Sequence, residues 1–221
     1  MVPPNFLAIG LNYRAHVAEG GRTDPERPVV FNKQISCITG PNHAIHIPAE
    51  APDLVDYEGE LGVVIGKTCR RVPADRAHEV IAGYLVVNDV SVRDWQKASP
   101  TMTMGKSWDT HGPIGPWLVS ADEIADPGDL DLTTTVDGEI RQQTNTSEMI
   151  FNISALIAHL STAFTLLAGT VIATGTPEGV GFYRSPRTML QAGQTVEVSI
   201  EGIGKLSNPV IDDPNPGVVI S

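Results

Sequence analysis

"VDYEGELGVVIG", Val55 to Gly66, has the Val, Leu and Ile content of a buried strand, yet it opens with two carboxylates, Glu58 and Glu60. Side chains alternate along a strand, so residues two apart share a face, with about 7 Å between their α-carbons. Two ionised carboxylates that close repel each other unless water or a positive charge separates them. A solvated strand face would satisfy the same spacing. A third acid tips the balance: the next apolar run, "IAGYLVVNDVSV" (Ile81 to Val92), ends its hydrophobic stretch at Asp89, which reaches the same spot if the two strands are neighbours. Three oxygen donors with no cysteine and no obligatory histidine suit a hard octahedral cation, Mg2+ or Mn2+, rather than zinc.

Working outward from these strands, the chain reads as mainly β. Twenty-one Gly and 17 Pro divide 221 residues into short segments, and a 41% hydrophobic content suffices for one core. "FLAIGLNY" predicts a strand ending at Gly10, followed by "RAHVAEGG", a helical turn or loop. "PVVFNKQISCITG" predicts another strand with a turn at "GPN". Pro100 to Pro116, "PTMTMGKSWDTHGPIGP", lacks either period and reads as a long loop. "LDLTTTVDGEIRQQT" is a hairpin turning at Asp137-Gly138, and "GQTVEVSIEGIGKLSNPV" is a second. Asn152 caps the one strongly periodic helix, with Ile153, Leu156, Ile157, Leu160 and Phe164 at helical spacing; His159 on it reads as a packing residue. The segment after Pro209 is expected to be loose.

A net charge of −11 argues against nucleic acid and anionic membrane as partners. Cys37 and Cys69 read as free thiols in a reducing compartment. The N-terminus has no basic segment leading into a long apolar one, and the apolar stretch from Leu156 to Thr174 is broken by His159, Ser161, Thr162, Thr165 and Gly169, so neither a signal peptide nor a membrane span is expected. The cytoplasm is the expected location. No Rossmann, P-loop or G-x-S-x-G pattern is present.

"GLNYRAHVAE", "DYEGELGVVIG", "GYLVVNDVSVRDWQ", "GKSWDTHGPIGP" and "TGTPEGVG" follow one another in the order and near the spacing of the fumarylacetoacetate hydrolase family, and the chain resembles that family from Leu7 to about Leu206. The resemblance implies a mixed α+β fold dominated by a β-sandwich roll, and a divalent cation, Mg2+ or Mn2+, held at Glu58, Glu60 and Asp89. It also implies a homodimer. Longer relatives carry an extra N-terminal domain, so residues 1–221 are expected to form a single catalytic domain. The turn "LLAGTVIATG" departs from the family's Pro-Gly-Asp, which affects local loop shape.

Family substrates share a 2-oxo acid or enol head, whose carboxylate and keto oxygens can chelate one cation that then stabilises an enolate. The expected reaction is hydrolysis of the C–C bond of acylpyruvate- or fumarylpyruvate-like 2,4-dioxo acids, giving pyruvate and a carboxylic acid. Alternatives are oxaloacetate-type decarboxylation, and isomerisation or decarboxylation of 2-hydroxyhepta-2,4-diene-1,7-dioate in aromatic catabolism. A protein that binds metal without catalysis is a third. His16 and Glu19, at i and i+3 of a helical turn, can meet, the carboxylate raising the basicity of the imidazole that activates water. The resemblance places Lys106 at the metal as the cation for the developing enolate. It points to Gly175 and Thr176 in "TGTPEGVG" for the substrate head group and to Gln96 as a polar contact, and leaves Arg93 between substrate and dimer contact. The segment holding His16, hinged at Gly20-Gly21, is expected to lie away from the metal until substrate binds.

Overall fold

The segments rich in Val, Ile and Tyr form the strands that the sequence predicts. In the computed structural model, which describes residues 2–218 and 220, β1 (Phe6–Gly10) leads into helix α1 (Arg14–Glu19), followed by β2 (Val29–Lys33), β3 (Ile38–Thr39) and β4 (Ile45–Ile47). The acidic stretch gives β5 (Val55–Asp56) and β6 (Gly59–Ile65), and the next apolar run β7 (Ile81–Asn88) and β8 (Ser91–Val92). Then come α2 (Arg93–Lys97), α3 (Thr103–Lys106), β9 (Gly112–Ser120), β10 (Asp131–Val136) and β11 (Glu139–Asn145). Helix α4 (Ile153–Ala163) precedes β12 (Val171–Ala173), β13 (Thr195–Ile200) and β14 (Gly204–Asp212). Among the described residues no helix is long and apolar enough to cross a membrane.

The larger sheet runs β2-β1-β12-β6-β7-β9-β3, the smaller β11-β10-β13-β14-β4, and β5 pairs with β8 in a two-stranded sheet. Both faces of the larger sheet are covered, which explains why its strands read as nearly continuous apolar runs rather than alternating ones. Leu7, Ile9, Leu61, Val63 and Val86 point one way, into a core shared with Leu132, Val198, Ile200 and Leu206 of the smaller sheet and Leu156, Ile157 and Leu160 of α4. Phe6, Ala8, Leu85 and Val87 point the other way and pack with Phe31. The protein is thus mainly β, two curled sheets packed face to face with few short helices.

The hairpin turn forms as its dipeptide predicts, with Asp137 and Gly138 both at positive φ, 51° and 79°, the twist that matches the flanking strands. The second hairpin is β13-β14. Asn152 caps α4 by accepting from the Ala155 N–H at 2.9 Å.

Four expectations are corrected. The strand predicted from Val55 to Gly66 is two strands, because Tyr57 and Glu58 leave β5 before β6 begins and carry the chain from one sheet to another. The long loop from Pro100 to Pro116 contains α3 and the start of β9; its Gly and Pro density hid a four-residue helix stabilised by tertiary contacts rather than propensity. The segment after Pro209 is not wholly loose: Val210 to Asp212 extend β14 and pair in parallel with β4, with Val210 buried. His159 faces solvent rather than the core, since α4 buries only the stripe of Ile153, Leu156, Ile157, Leu160 and Ser161. Cys37 and Cys69 are both free.

Phe164 marks where helical spacing and helical structure part: it lies beyond α4 in extended backbone and is 41% exposed, against 1% for Leu160. Leu160→Ala is expected to destabilise the fold by about 2–5 kcal/mol and Phe164→Ala by less than about 1 kcal/mol, measured by denaturant unfolding. Equal losses would contradict this placement.

Candidate active site

The break between β5 and β6 creates the site. Gly59 pairs with Asn88 at the ends of β6 and β7, and beyond that last rung the Asp89 N–H donates to the Glu58 carbonyl at 2.8 Å, while Asn88 Oδ1 accepts from the Glu58 N–H at 3.0 Å. Both chains therefore turn off the sheet together, and Glu58, Glu60 and Asp89 aim one carboxylate oxygen each into a space where those atoms lie within 4.8 Å of one another, all three residues buried. The Gly175 N–H donates to Glu60 Oε2 at 2.7 Å.

Three cations are packed among these acids. Lys106 Nζ bridges Glu58 Oε2 and Asp89 Oδ2, at 2.6 Å each. Lys33 Nζ meets Asp89 Oδ1 at 2.6 Å and also donates to the Lys106 carbonyl. Arg93 spans Glu58 Oε1, at 2.5 Å, and Asp56 Oδ2, at 2.8 Å from its Nε. Four buried carboxylates (Asp56, Glu58, Glu60, Asp89) thus meet three buried cations (Lys33, Arg93, Lys106), and Glu60 is the acid without a cation of its own.

The ionisation behaviour follows. Burial pushes the Glu58 carboxyl up, but Lys106 and Arg93, with a smaller contribution from His16, outweigh it and hold Glu58 below the usual carboxylate range. Burial pushes Glu60 up, Asp89 and Glu58 add to it, and Lys106 and the Gly175 N–H compensate too little, so Glu60 stays well above its ordinary value. Burial lowers Lys106, but Asp89 and Glu58 more than restore it and keep it charged. A cluster of hard oxygen donors one positive charge short fits a divalent cation. Glu58, Glu60 and Asp89 are the residues that could hold one.

Of the remaining predicted residues, His16 and Glu19 do meet. His16 Nδ1 lies 2.7 Å from Glu19 Oε1, and Glu19 Oε2 accepts from the Gly179 N–H at 2.9 Å. The carboxylate keeps the imidazole proton on Nδ1 and leaves Nε2 with its lone pair. His16 is 8% exposed and within electrostatic reach of Glu58, so the segment expected to lie away from the metal is folded onto the site. Tyr183 backs it, its ring 6.2 Å from the imidazole.

Lys106 ends α3, and Gly105 before it lets α3 approach α2 closely: a β-carbon there would lie 2.1 Å from the Gln96 backbone nitrogen. Gln96 Oε1 accepts from Arg93 at 3.0 Å, one side chain away from Glu58. The Thr176 hydroxyl donates to the Gly59 carbonyl at 3.1 Å and accepts from Gln142 at 2.8 Å, and the Gly175 N–H is already spent on Glu60. Both residues brace the head of β6 in this structure.

Several contributors went unpredicted. Asp56 takes the Gly181 and Phe182 N–H groups at 2.8 and 2.9 Å as well as Arg93, and its signal was present as the first acid of "VDYEGE". Gln142, on β11, accepts from the Gly59 N–H at 2.9 Å and donates to Thr176 and Pro177; nothing local in a polar hairpin distinguishes it. Lys33 reads as a strand-end lysine until the fold brings it 56 residues forward to Asp89.

Proteins with this fold are known, and those most similar to the chain fall into one enzyme family. The model of the fumarylacetoacetate (FAA) hydrolase C-terminal domain matches residues 5–211. A Burkholderia ambifaria protein, named only as thought to be a hydrolase, is 52% identical over 202 residues, covering 90% of this chain and 71% of its own length. The fumarylacetoacetate hydrolase of psychrophilic Exiguobacterium antarcticum superposes with a TM-score of 0.89 at 41% identity, over 96% of this chain and 76% of that one. The 2-hydroxyhepta-2,4-diene-1,7-dioate isomerase of Mycobacterium marinum gives 0.85 at 40%, over 97% and 77%. The chain belongs to the fumarylacetoacetate hydrolase family.

Gln142 fixes the backbone between the two glutamates, so Gln142→Leu is expected to weaken divalent-cation binding, probed calorimetrically with Mg2+ and Mn2+, about 10- to 100-fold; unchanged affinity would deny it that role. Glu60 supplies a pH dependence. In the metal-free protein the folded state keeps a proton on Glu60 that the unfolded chain releases in the ordinary carboxylate range, so above that range the folded state binds more protons and this group's contribution makes stability fall as pH rises. Glu60→Gln removes that slope, and metal-free melts should show the variant gaining on wild type with rising pH. Wild-type affinity for a divalent cation should rise over the same interval, as coordination displaces the proton.

Proposed function

We propose that the protein is a divalent-metal-dependent hydrolase of 2,4-dioxo acids, acylpyruvate- or fumarylpyruvate-like, that releases pyruvate and a carboxylic acid. The observation that carries this reading is the His16-Glu19 pair, tethered to the Gly179 N–H and folded beside the three acids. Hydrolysis needs an activated water, and loss of CO2 does not. Mg2+ or Mn2+ at Glu58, Glu60 and Asp89 would supply Lewis-acid polarisation of the 2-oxo group.

His16 Nε2 takes a proton from the water that adds to C4, while Glu19 balances the imidazolium that results. Lys106, charged and buried, offers an ammonium to the oxygen on which negative charge develops. Breaking the C3–C4 bond leaves a carboxylic acid and the enolate of pyruvate, which takes up a proton at C3. Gly175 and Thr176 shape the head-group end through the backbone they hold, and Gln96, oriented by Arg93, contributes a polar contact. Thr176 acts here by position rather than by a free hydroxyl.

A second reading draws on the name of the Mycobacterium marinum structure: isomerisation of a hydroxydienedioate would use the same histidine to move a proton between carbons, without water addition. Either activity belongs to the breakdown of aromatic compounds, carried out by a cytoplasmic homodimer. A purely binding protein is disfavoured, because it has no need for a histidine-glutamate pair anchored at this position.

His16→Ala is expected to lower acylpyruvate cleavage by about 10²- to 10⁴-fold, to reduce oxaloacetate decarboxylation far less, and to leave calorimetric Mg2+ affinity intact. Pyruvate and CO2 release followed separately on acetylpyruvate, fumarylpyruvate, oxaloacetate and a hydroxydienedioate would separate the readings. Wild-type cleavage rates in the His16 variant would sink the assigned role.

A further inference from the structure

Lys106 carries the ammonium that bridges Glu58 and Asp89, yet the segment that follows it, Ser107 to His111, is neither helix nor strand. One side of that segment is unpacked, for with His46 and Asp213 it lines a cleft of about 550 Å³. What holds it is the backbone of His46. β4 ends the smaller sheet, with β14 on one side of it. At the other edge the His46 N–H donates to Thr110 Oγ1 at 2.9 Å, and the His46 carbonyl accepts from His111 Nε2, 2.8 Å away. Two side chains thus do for β4 what the backbone of an adjoining strand would do, and they join the edge of the smaller sheet to the start of β9 in the larger one.

Stability alone explains neither residue. Thr110 has a φ of 67°, a left-handed conformation that a β-branched side chain resists. His111 is 0% exposed, and burial lowers its imidazole to about 3, the bond to the His46 carbonyl offsetting this only in part. The ring is therefore neutral with its proton on Nε2, and Nδ1 is a buried acceptor with no partner among the described residues. A strained residue beside an unsatisfied one persists where the surroundings fix both, and such places cluster at functional sites. The near end of the segment is tied as well: the Gln34 N–H donates to Ser107 Oγ at 3.0 Å, and Lys33 donates to the Lys106 carbonyl.

We infer that Thr110 and His111 are positioning residues for Lys106: by gripping the His46 backbone they fix the segment that sets its ammonium against Glu58 and Asp89. The inference rests on the proposed function only for what that ammonium does during turnover.

Cation binding tests this without turnover. The Lys106 ammonium competes for oxygens of Glu58 and Asp89, so Lys106→Met should raise the calorimetric affinity for Mg2+ and Mn2+, and His111→Leu, which lets Lys106 drift, should raise it too. Each rise should be about tenfold, and the double variant should gain nothing beyond Lys106→Met, because both changes act through one ammonium. His111→Gln, whose amide N–H can still reach the His46 carbonyl, should bind as wild type does. Thr110→Val deletes one hydroxyl from a half-buried residue and should shift affinity in the same sense even where His111→Leu fails to fold. Leu160→Ala, destabilising but on α4, should leave affinity alone. Turnover of an oxo acid by His111→Leu should fall in kcat about 10- to 100-fold with KM nearly unchanged. Independent, additive effects of His111→Leu and Lys106→Met overturn the inference, as do equal effects of Gln and Leu at position 111, or wild-type affinity in both Thr110→Val and His111→Leu. Absence of turnover on every oxo acid, beside affinities that behave as expected, would instead refute the hydrolase reading and leave the positioning role standing.

Discussion

Everything in the centre follows from burying four carboxylates with three cations. Removing an ion from water costs several kcal/mol after relaxation, and Coulomb attraction recovers this only when each charge has partners at close range. Glu58 and Asp89 meet that condition through two cations each. Among the described residues Glu60 has a single N–H donor and no cation, and it is the acid pushed well above its ordinary ionisation range. The deficit is local: the centre lacks one positive charge at the position where three oxygens converge. A fold selected for stability alone would be expected to remove that acid or pair it.

Such a cluster persists only if the backbone around it cannot relax. The head of β6 is held on one side by β7 through the Gly59 and Asn88 pairing, and on the other by Gln142 from the smaller sheet. Asn12 ties the chain after β1 to the end of β12, donating to the Thr174 carbonyl at 2.7 Å. Asp56, saturated by backbone N–H groups and Arg93, fixes residues 181 and 182. Apart from the half-buried Phe182 bond, these bonds are buried and span large sequence separations, so breaking one leaves a polar group without a partner in a region that water does not reach.

That geometry decides which parts were legible in the sequence. The acids at Glu58, Glu60 and Asp89 could be read because strand alternation and the end of an apolar run are local patterns, and His16 with Glu19 because helical spacing is local. The two hairpins and α4 were legible for the same reason. The division of one apparent strand into β5 and β6 was not, since Tyr57 and Glu58 are as compatible with a strand as their neighbours and only the separate partners of the two halves reveal the break. Lys33, Gln142 and Asn12 were silent because each acts across 56 to 162 residues, and α3 because its helix survives through Gly105 packed on α2 rather than through its own composition. His159 misled because a periodic helix implies a buried stripe but not how wide that stripe is.

The same loop, residues 174–183, supplies an N–H to Glu60, one to Glu19 and two to Asp56. Glu60, the Glu19 partner of His16 and the Asp56 anchor of Arg93 are therefore referenced to a single stretch of backbone. If α1 were to swing out on Gly20 and Gly21, it would give up the Glu19 bond and its packing on Tyr183 while the three acids kept theirs. Docking α1 sets His16 in register with the acids without requiring the acids to move. On the proposed reading, that separation would let α1 close over a substrate while the most expensive part of the site, its buried charge, stays fixed by the two sheets.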